Sequence, residues 1–417
     1  MEMDQREQRG LMIAATTKLF PNGGGEWTVP SQTNGGRYSV CVNGNCVHCT
    51  CPDFEARGLP CKHIFAVQFT VKRETSTTVE TNAQGETTVT KTETVTETVK
   101  VTYSQDWPSY NAAQVNEKRM FLPMLADLCK DILEPVQSMG RPRVTLADQV
   151  FYSAFKVYSL VSSRRFMSDL QDAQDKGYIA RMPHFNSVLK ALESEAVTPI
   201  LQALITRSSL PLKAIETDFC VDSSGFGASR HEKWFSVKHQ GMVSKRDWVK
   251  LHAMAGVKTN IVTSVEVTGR DGADGPQFVG LVNKTAANFP IREVSADKAY
   301  SSRKNLQAVQ EAGGKAFIPF KNNATGAGSP QAPKGDNALW TAMFHYYSLN
   351  RSEFLTHYHK RSNSESTFSS IKAKFGDSVR SKTDTAMVNE VLCKVLCHNI
   401  VTVIGSMFEL GIEPIFA

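Results

Sequence analysis

The sequence predicts an α/β protein: a mixed sheet with flanking helices, preceded by an all-helical region and a small metal-held module. Three observations carry that prediction. From about Leu210 the pattern runs strand, strand, strand, helix, strand, helix, strand, helix. From Trp107 to about Ser209 apolar residues recur at helical spacing. Near the N-terminus, Cys49, Cys51, Cys61 and His63 form C-x-C-x9-C-x-H. A chain of 417 residues has room for roughly two or three domains. The expected divisions are 1–72, 73–105, 106–209 and 210–417.

Residues 1–72 form the metal module. Three thiolates and one imidazole match the tetrahedral set of one structural Zn²⁺. Pro52 favours a turn, and Gly58 with Pro60 marks a second. The run HIFAVQF supplies apolar residues to cover the site. A unit this small needs its metal to fold. Four protein ligands leave no open position, so this zinc is structural and not catalytic. Cys41, Cys46 and His48 are bystanders on a hairpin or alternative ligands, and buried cysteines without metal are the bland reading. With the strand-like WTVPSQTNGGRYSV ahead of it, the pattern resembles the SWIM zinc finger, a family associated with binding DNA or protein.

Residues 73–105 are dominated by Thr, Val and Glu. Low complexity suggests a linker. The Thr/Val alternation, broken at NAQGE, suggests an exposed hairpin. A partly ordered ribbon without chemistry is expected. In 106–209, AQVNEKRMFLPMLADLCKDIL is helical, and Thr145 is placed to cap TLADQVFYSAFKVYSL. Two short helical runs, SSRRFMSDLQDAQDKGY and MPHFNSVLKALESEAV, follow. Arg141, Arg143, Arg164 and Arg165 fall at helix starts or turns, where they could reach phosphates. Solvated arginines on a plain packing domain are the alternative.

The strands from residue 210 onward are AIETDFCVD, WVKLHAMAGV, NIVTSVEVTG, IREVSAD and AFIPF. Asp222 and Asp297 end the first and fourth, and Glu365 lies in one long helical pattern, YHKRSNSESTFSSIKAKFG. Carboxylates are natural ligands of Mg²⁺ or Mn²⁺. Two such ions about 4 Å apart activate an attacking oxygen and stabilise a leaving one. Asp218 shares the face of Asp222 by the period of two. Ser223 and Ser224 are too polar for core and are expected to hydrogen-bond the carboxylate or a substrate.

Tyr358, Arg361, Glu365 and Lys372 are spaced Y-x2-R-x3-E-x6-K. On one helix they share a stripe roughly 60° wide. A carboxylate there can hold metal while the two cations hold phosphate oxygens. The stripe alone is equally consistent with a solvated face carrying ordinary salt bridges.

With the two aspartates, these residues bring in a family. The chain resembles the DDE transposases of bacterial insertion sequences that carry the YREK signature. VDSSGF at Asp222 is similar to the family's first motif, ADKAY at Asp297 to its second, and the four stripe residues to YREK. LCHNI, Leu396 to Ile400, is similar to its helical tail. The likeness covers about residues 105–417. Ser224 stands where Thr is usual and Ala299 where Gly is common; neither is a metal ligand. The segment from Asp297 to Glu365 lacks a β-rich insertion found in some relatives. The resemblance implies a ribonuclease H-like sheet with Asp222 and Asp297 on neighbouring central strands. It also implies two Mg²⁺ or Mn²⁺ ions on Asp222, Asp297 and Glu365, phosphate contacts from Tyr358, Arg361, Lys372 and Lys298, and a helical region that holds transposon ends.

Bulk properties narrow the classes. A net charge of +6 permits nucleic acid without demanding it. The charged opening MEMDQREQRG lacks an apolar signal region. The run VLCKVLCHNIVTVIGSMFELG is interrupted by Lys394, His398 and Asn399, so a buried core helix is expected and not a membrane span. Nine cysteines, five of them from Cys41 to Cys61, argue for metal in a reducing cytosol. No His and Asp stand in a motif that would activate a serine. His345, His357 and His359 are assigned to packing or surface, and Cys393, Cys397 and His398 to core. The expectation is a cytoplasmic, nucleoid-associated transposase, at least dimeric on double-stranded DNA. It would cleave terminal inverted repeats and transfer the 3′-hydroxyl to target DNA. A non-enzymatic DNA-binding regulator and a nuclease without joining activity are the alternatives.

Overall fold

A computed structural model of the chain describes residues 5–17, 19–31, 36–43, 46–81, 87–97, 106–137, 139–140, 143–228, 248–327, 329 and 333–416. The chain divides into two compact units, Met1–Ser104 and Gln105–Ala417.

The first unit opens with helix α1 (Gln5–Thr16). A four-stranded antiparallel sheet follows in sequence order: β1 (Phe20–Gly23), β2 (Glu26–Pro30), β3 (Arg37–Asn43) and β4 (Cys46–Cys49). Short helix α2 (Pro52–Arg57) and helix α3 (Lys62–Thr70) complete it. Pro52 therefore starts a helix, where its missing N–H costs nothing. Gly58 ends that helix in the left-handed region. Trp27, Val29 and Val40 pack with Ile13, Ile64 and Val67. A side chain at Gly10 would stand 2.5 Å from Phe65 Cβ, so glycine permits the close approach of α1 and α3. The Thr/Val ribbon forms hairpin β5 (Val71–Thr81) and β6 (Thr87–Glu97), with Val79 opposite Val89. Its NAQGE loop lies outside the described residues, as does Arg141.

The second unit begins with five helices: α4 (Trp107–Cys129), α5 (Leu146–Ser159), α6 (Ser163–Asp175), α7 (Phe185–Leu192) and α8 (Val197–Ser209). Thr145 caps α5 as expected, accepting from Asp148 N at 3.0 Å. Then come β7 (Asp218–Gly227), β8 (Trp248–Gly256), β9 (Val262–Gly269), α9 (Asp274–Ala286), β10 (Glu293–Ala296), α10 (Arg303–Glu311) and β11 (Lys315–Phe317). The last elements are α11 (Lys334–Leu349), α12 (Arg351–Tyr358), a 3₁₀ turn (His359–Arg361), α13 (Ser362–Phe375) and α14 (Asp384–Leu410). The sheet order is β11-β10-β7-β8-β9. β10 is parallel to both neighbours, while β7, β8 and β9 run antiparallel. This is the mixed, ribonuclease H-like sheet that the element order predicts.

Alternation along β7 divides the interior. Cys220 and Phe226 join a core built with α4, α5, α8, α13 and α14. Phe219 and Val221 join a second core with α9, α10 and α11. The helical region thus shares its core with one face of the sheet. Helix α14 is long and apolar enough to cross a membrane by length and composition, yet most of it is buried in protein. Its polar residues are satisfied there. Lys394 Nζ donates to the carbonyls of Phe375, Gly376 and Ser378 at 2.9, 2.8 and 2.7 Å. Asn399 donates to Ile205 O and Val262 O and accepts from Val262 N. Each such bond stabilises by about 1 kcal/mol, and stranding the group would cost more.

Candidate active site and zinc centre

Strand β7 runs five residues past Asp222, so the aspartate sits mid-strand and does not end it, paired with Ala253 of β8. The strand continues because Phe226 still has a core to enter. Asp297 directly follows β10 and begins a 3₁₀ turn, Lys298–Tyr300. Because Ala296 pairs with Val221, the next register position sets Asp297 beside Asp222. Adjacent strand backbones lie about 4.8 Å apart. The Asp297 carboxylate makes no hydrogen bond or ion pair among the described residues.

The segment bearing Glu365 is not one helix. It breaks at the 3₁₀ turn, so Tyr358 and Glu365 lie on different helices and the single stripe is twisted between them. The turn coincides with Lys360, which donates to Asp218 Oδ2 at 2.8 Å and Glu293 Oε2 at 2.6 Å. Arg361 then bridges two of the three carboxylates, 2.9 Å from Asp222 Oδ2 and 2.6 Å from Glu365 Oε1. Ser364 Oγ donates to Asp222 Oδ2 at 3.0 Å, and Ser223 N to Asp222 Oδ1 at 2.8 Å. The Glu365 side chain is 62% exposed and is held by Arg361. Among the described residues, no choice of one oxygen from each of the three carboxylates brings all three within 4.8 Å of one another. A two-ion site spreads its ligands more widely than one coordination sphere, and hard oxygen donors on two adjacent strands suit it.

The zinc ligands do gather. Cys49, Cys51, Cys61 and His63 place their ligand atoms within 4.8 Å of one another, all buried. His63 Nδ1 lies 3.9 Å from Cys49 Sγ and 3.8 Å from Cys61 Sγ. A hydrogen bond from the Cys49 thiol pulls the Cys61 thiol far down and pushes Cys49 up. Three thiols and one imidazole gathered in a buried cluster are the donor set that a tetrahedral Zn²⁺ takes. Cys41 lies on β3 and His48 on β4, outside this group.

Residues 213–400 match the family model of the transposase DDE domain, and residues 38–70 match that of the SWIM zinc finger. The chain carries a transposase DDE domain and a SWIM zinc finger.

The remaining residues of the DDE domain fall into three groups. Tyr358 packs at the edge of the second core, with the Arg361 guanidinium 6.0 Å from its ring centre. Lys372 Nζ lies 5.2 Å from the centre of Phe226, and burial lowers its pKa. Lys298 is exposed. On the reverse face of β7, Ser223 belongs to a polar cluster the sequence reading missed. Asp274, at the start of α9, lies 2.7 Å from Lys250 Nζ and 3.2 Å from His252 Nδ1. Burial, then the charges of Asp274, Asp222 and Asp297, push the Tyr300 phenol up. His357, assigned to packing or surface, holds Glu293 at 2.9 Å and stacks on Phe317. Ser364 and Lys360 carry no signature, and only their tertiary contacts identify them.

Proposed function

We propose that the DDE domain cuts double-stranded DNA at the terminal inverted repeats of a mobile element and joins the freed 3′-hydroxyl to target DNA. The observation that carries this reading is the register of β7 and β10, which sets Asp297 beside Asp222. Arg361, bonded to both Asp222 and Glu365, brings the third carboxylate to the same site. Asp222, Asp297 and Glu365 would hold the divalent ions, Mg²⁺ or Mn²⁺. Such a pair supplies an activated attacking oxygen and charge stabilisation for the leaving one.

The chain's own residues do the rest. Arg361 exchanges a carboxylate for a phosphate oxygen, which its planar fork matches. Lys372 and Lys298 hold neighbouring phosphates, and Tyr358 orients the strand. In joining, the 3′-oxygen forms a bond to a target phosphorus as that phosphorus loses its bridging oxygen. The hydroxyl proton leaves with the activation step, and no covalent protein intermediate forms. The finger and the helices of 106–209 serve end recognition or partner contact. Two ends held together require at least a dimer on DNA, in the cytoplasm at the nucleoid.

The test is incubation of the full chain and Mg²⁺ with the DNA flanking its own gene, beside Asp297→Ala. Metal-dependent nicks at matched inverted ends, absent in the variant, are expected. Binding without nicks in either protein would overturn the enzymatic reading in favour of a DNA-binding regulator. Nicks without joined products would reduce it to a nuclease.

A further inference from the structure

A second cationic site lies at the far end of β7. Gly227 bridges to Ser378, and Ala228 with Ser378 lines a cavity of about 480 Å³. Its rim carries Lys374, Arg380 and Lys382. A smaller cavity of about 90 Å³ adjoins it through Leu160, Phe375, Ser378 and Arg380, and Lys156 forms part of its wall.

Lys156 is the unusual member. It lies on α5 and is 9% exposed. Its ammonium makes no hydrogen bond or ion pair among the described residues. Burial, and then Arg380, lower its pKa. A buried cation without a partner destabilises a fold by several kcal/mol when fully desolvated. Glu390, in the wall of the same small cavity, opposes that lowering and raises the pKa, but it makes no ion pair with Lys156 among the described residues. Glu390 accepts from Arg380 N at 3.0 Å and from Ser381 N and Oγ at 2.8 and 2.7 Å. Glu117 is engaged by Lys374 and by Tyr158. Arg380 spends one N–H on Leu160 O and keeps others to donate. Lys394 is occupied by the three carbonyls already described. Positive charge is therefore in excess across the two adjoining cavities, with Arg380 and Lys382 lining the larger, Lys156 in the wall of the smaller, and Arg380 shared by both.

We infer that this cavity binds a backbone phosphate of the DNA engaged by the DDE domain, with Lys156 and Arg380 as its counter-charges. The inference rests on the transposase reading, because it needs a duplex that reaches both sites. Gly227, at the edge of the larger cavity, lies five residues along β7 from Asp222, about 17 Å at 3.3 Å per residue, so one duplex can span both sites.

The test uses the full chain and a short duplex carrying the mapped nick site. Lys156→Met keeps the side chain's length and removes an unpartnered buried charge. It should raise Tm while weakening DNA binding, and the slope of log K against log salt should fall by about one. Neutral methylphosphonates stepped along the duplex should locate a position that weakens binding by the wild type and leaves Lys156→Met unaffected. If Lys156→Met does not fold, Arg380→Gln on the exposed rim carries the same binding test. Unchanged affinity and salt slope in the variants, with nicking retained, would overturn the pocket and leave the transposase reading standing. A wild-type chain that neither binds nor nicks DNA would overturn both.

Discussion

Strands β7 and β10 present two carboxylate pairs on one face, four residues apart. Asp218 faces Glu293, and one repeat along, about 13 Å away, Asp222 stands beside Asp297. The first pair is saturated. Arg292 holds Asp218 at 2.7 and 2.6 Å, His357 holds Glu293, and Lys360 holds both. The second pair has Arg361 and Ser364 on Asp222 alone and leaves Asp297 without a partner among the described residues. Like charges on adjacent strands destabilise a sheet unless cations are placed between them. Where the protein supplies the cations, the pair is structural. Where it supplies only Arg361, to Asp222, the proposed function puts divalent ions.

The comparison breaks most sharply under substitution of the second pair. Asp297→Asn or Glu365→Gln should cut metal-dependent nicking by about a thousandfold or more, corresponding to several kcal/mol of transition-state stabilisation. DNA binding and chemical-denaturation stability should change little. A large stability loss in Asp297→Asn would show that its carboxylate is structural after all.

Lys360→Met attacks the first pair. It leaves two neighbouring carboxylates without their shared cation, although Arg292 and His357 remain. A loss of about 2 to 3 kcal/mol in urea unfolding is expected. Nicking should fall as well, because Lys360 precedes Arg361 and anchors the turn that carries it.

Acid should tell the pairs apart by stability. Burial disfavours the charged Asp218 and Glu293, but Arg292 and Lys360 on the one and Lys360 and His357 on the other outweigh it and hold both below the usual carboxylate range. Depressed folded-state pKa values mean stability that is fully present above the ordinary carboxylate value, about 4. It is lost as pH falls below that, through the folded values. Melting temperature against pH should fall more steeply in this window for the wild type than for Lys360→Met.

The smallest effect on the DDE domain should come from the finger. Chelation or Cys61→Ser should release about one Zn per chain and unfold the Cys/His module. Thermal unfolding of the unit Gln105–Ala417, which has its own cores, should persist. Metal analysis with calorimetry checks both.

Much of this protein was legible in its sequence. The four zinc ligands are neighbours along the chain, so local spacing was enough to group them. The strand and helix order followed from hydrophobic period, and α14 was recognised as core despite Lys394, His398 and Asn399. Asp222, Asp297 and Glu365 stood out by their motifs. The period of two also placed Asp218 on the face of Asp222, but it gave no physical reason to prefer one over the other. Nor did it show that the pattern around Arg361 breaks into two helices, or that Lys156 is buried with no hydrogen bond or ion pair among the described residues. Only the tertiary structure decided these. Spacing along a strand determines which face a carboxylate occupies, whereas its charge balance depends on cations from elements far away in sequence, as Arg292, His357 and Lys360 are from Asp218.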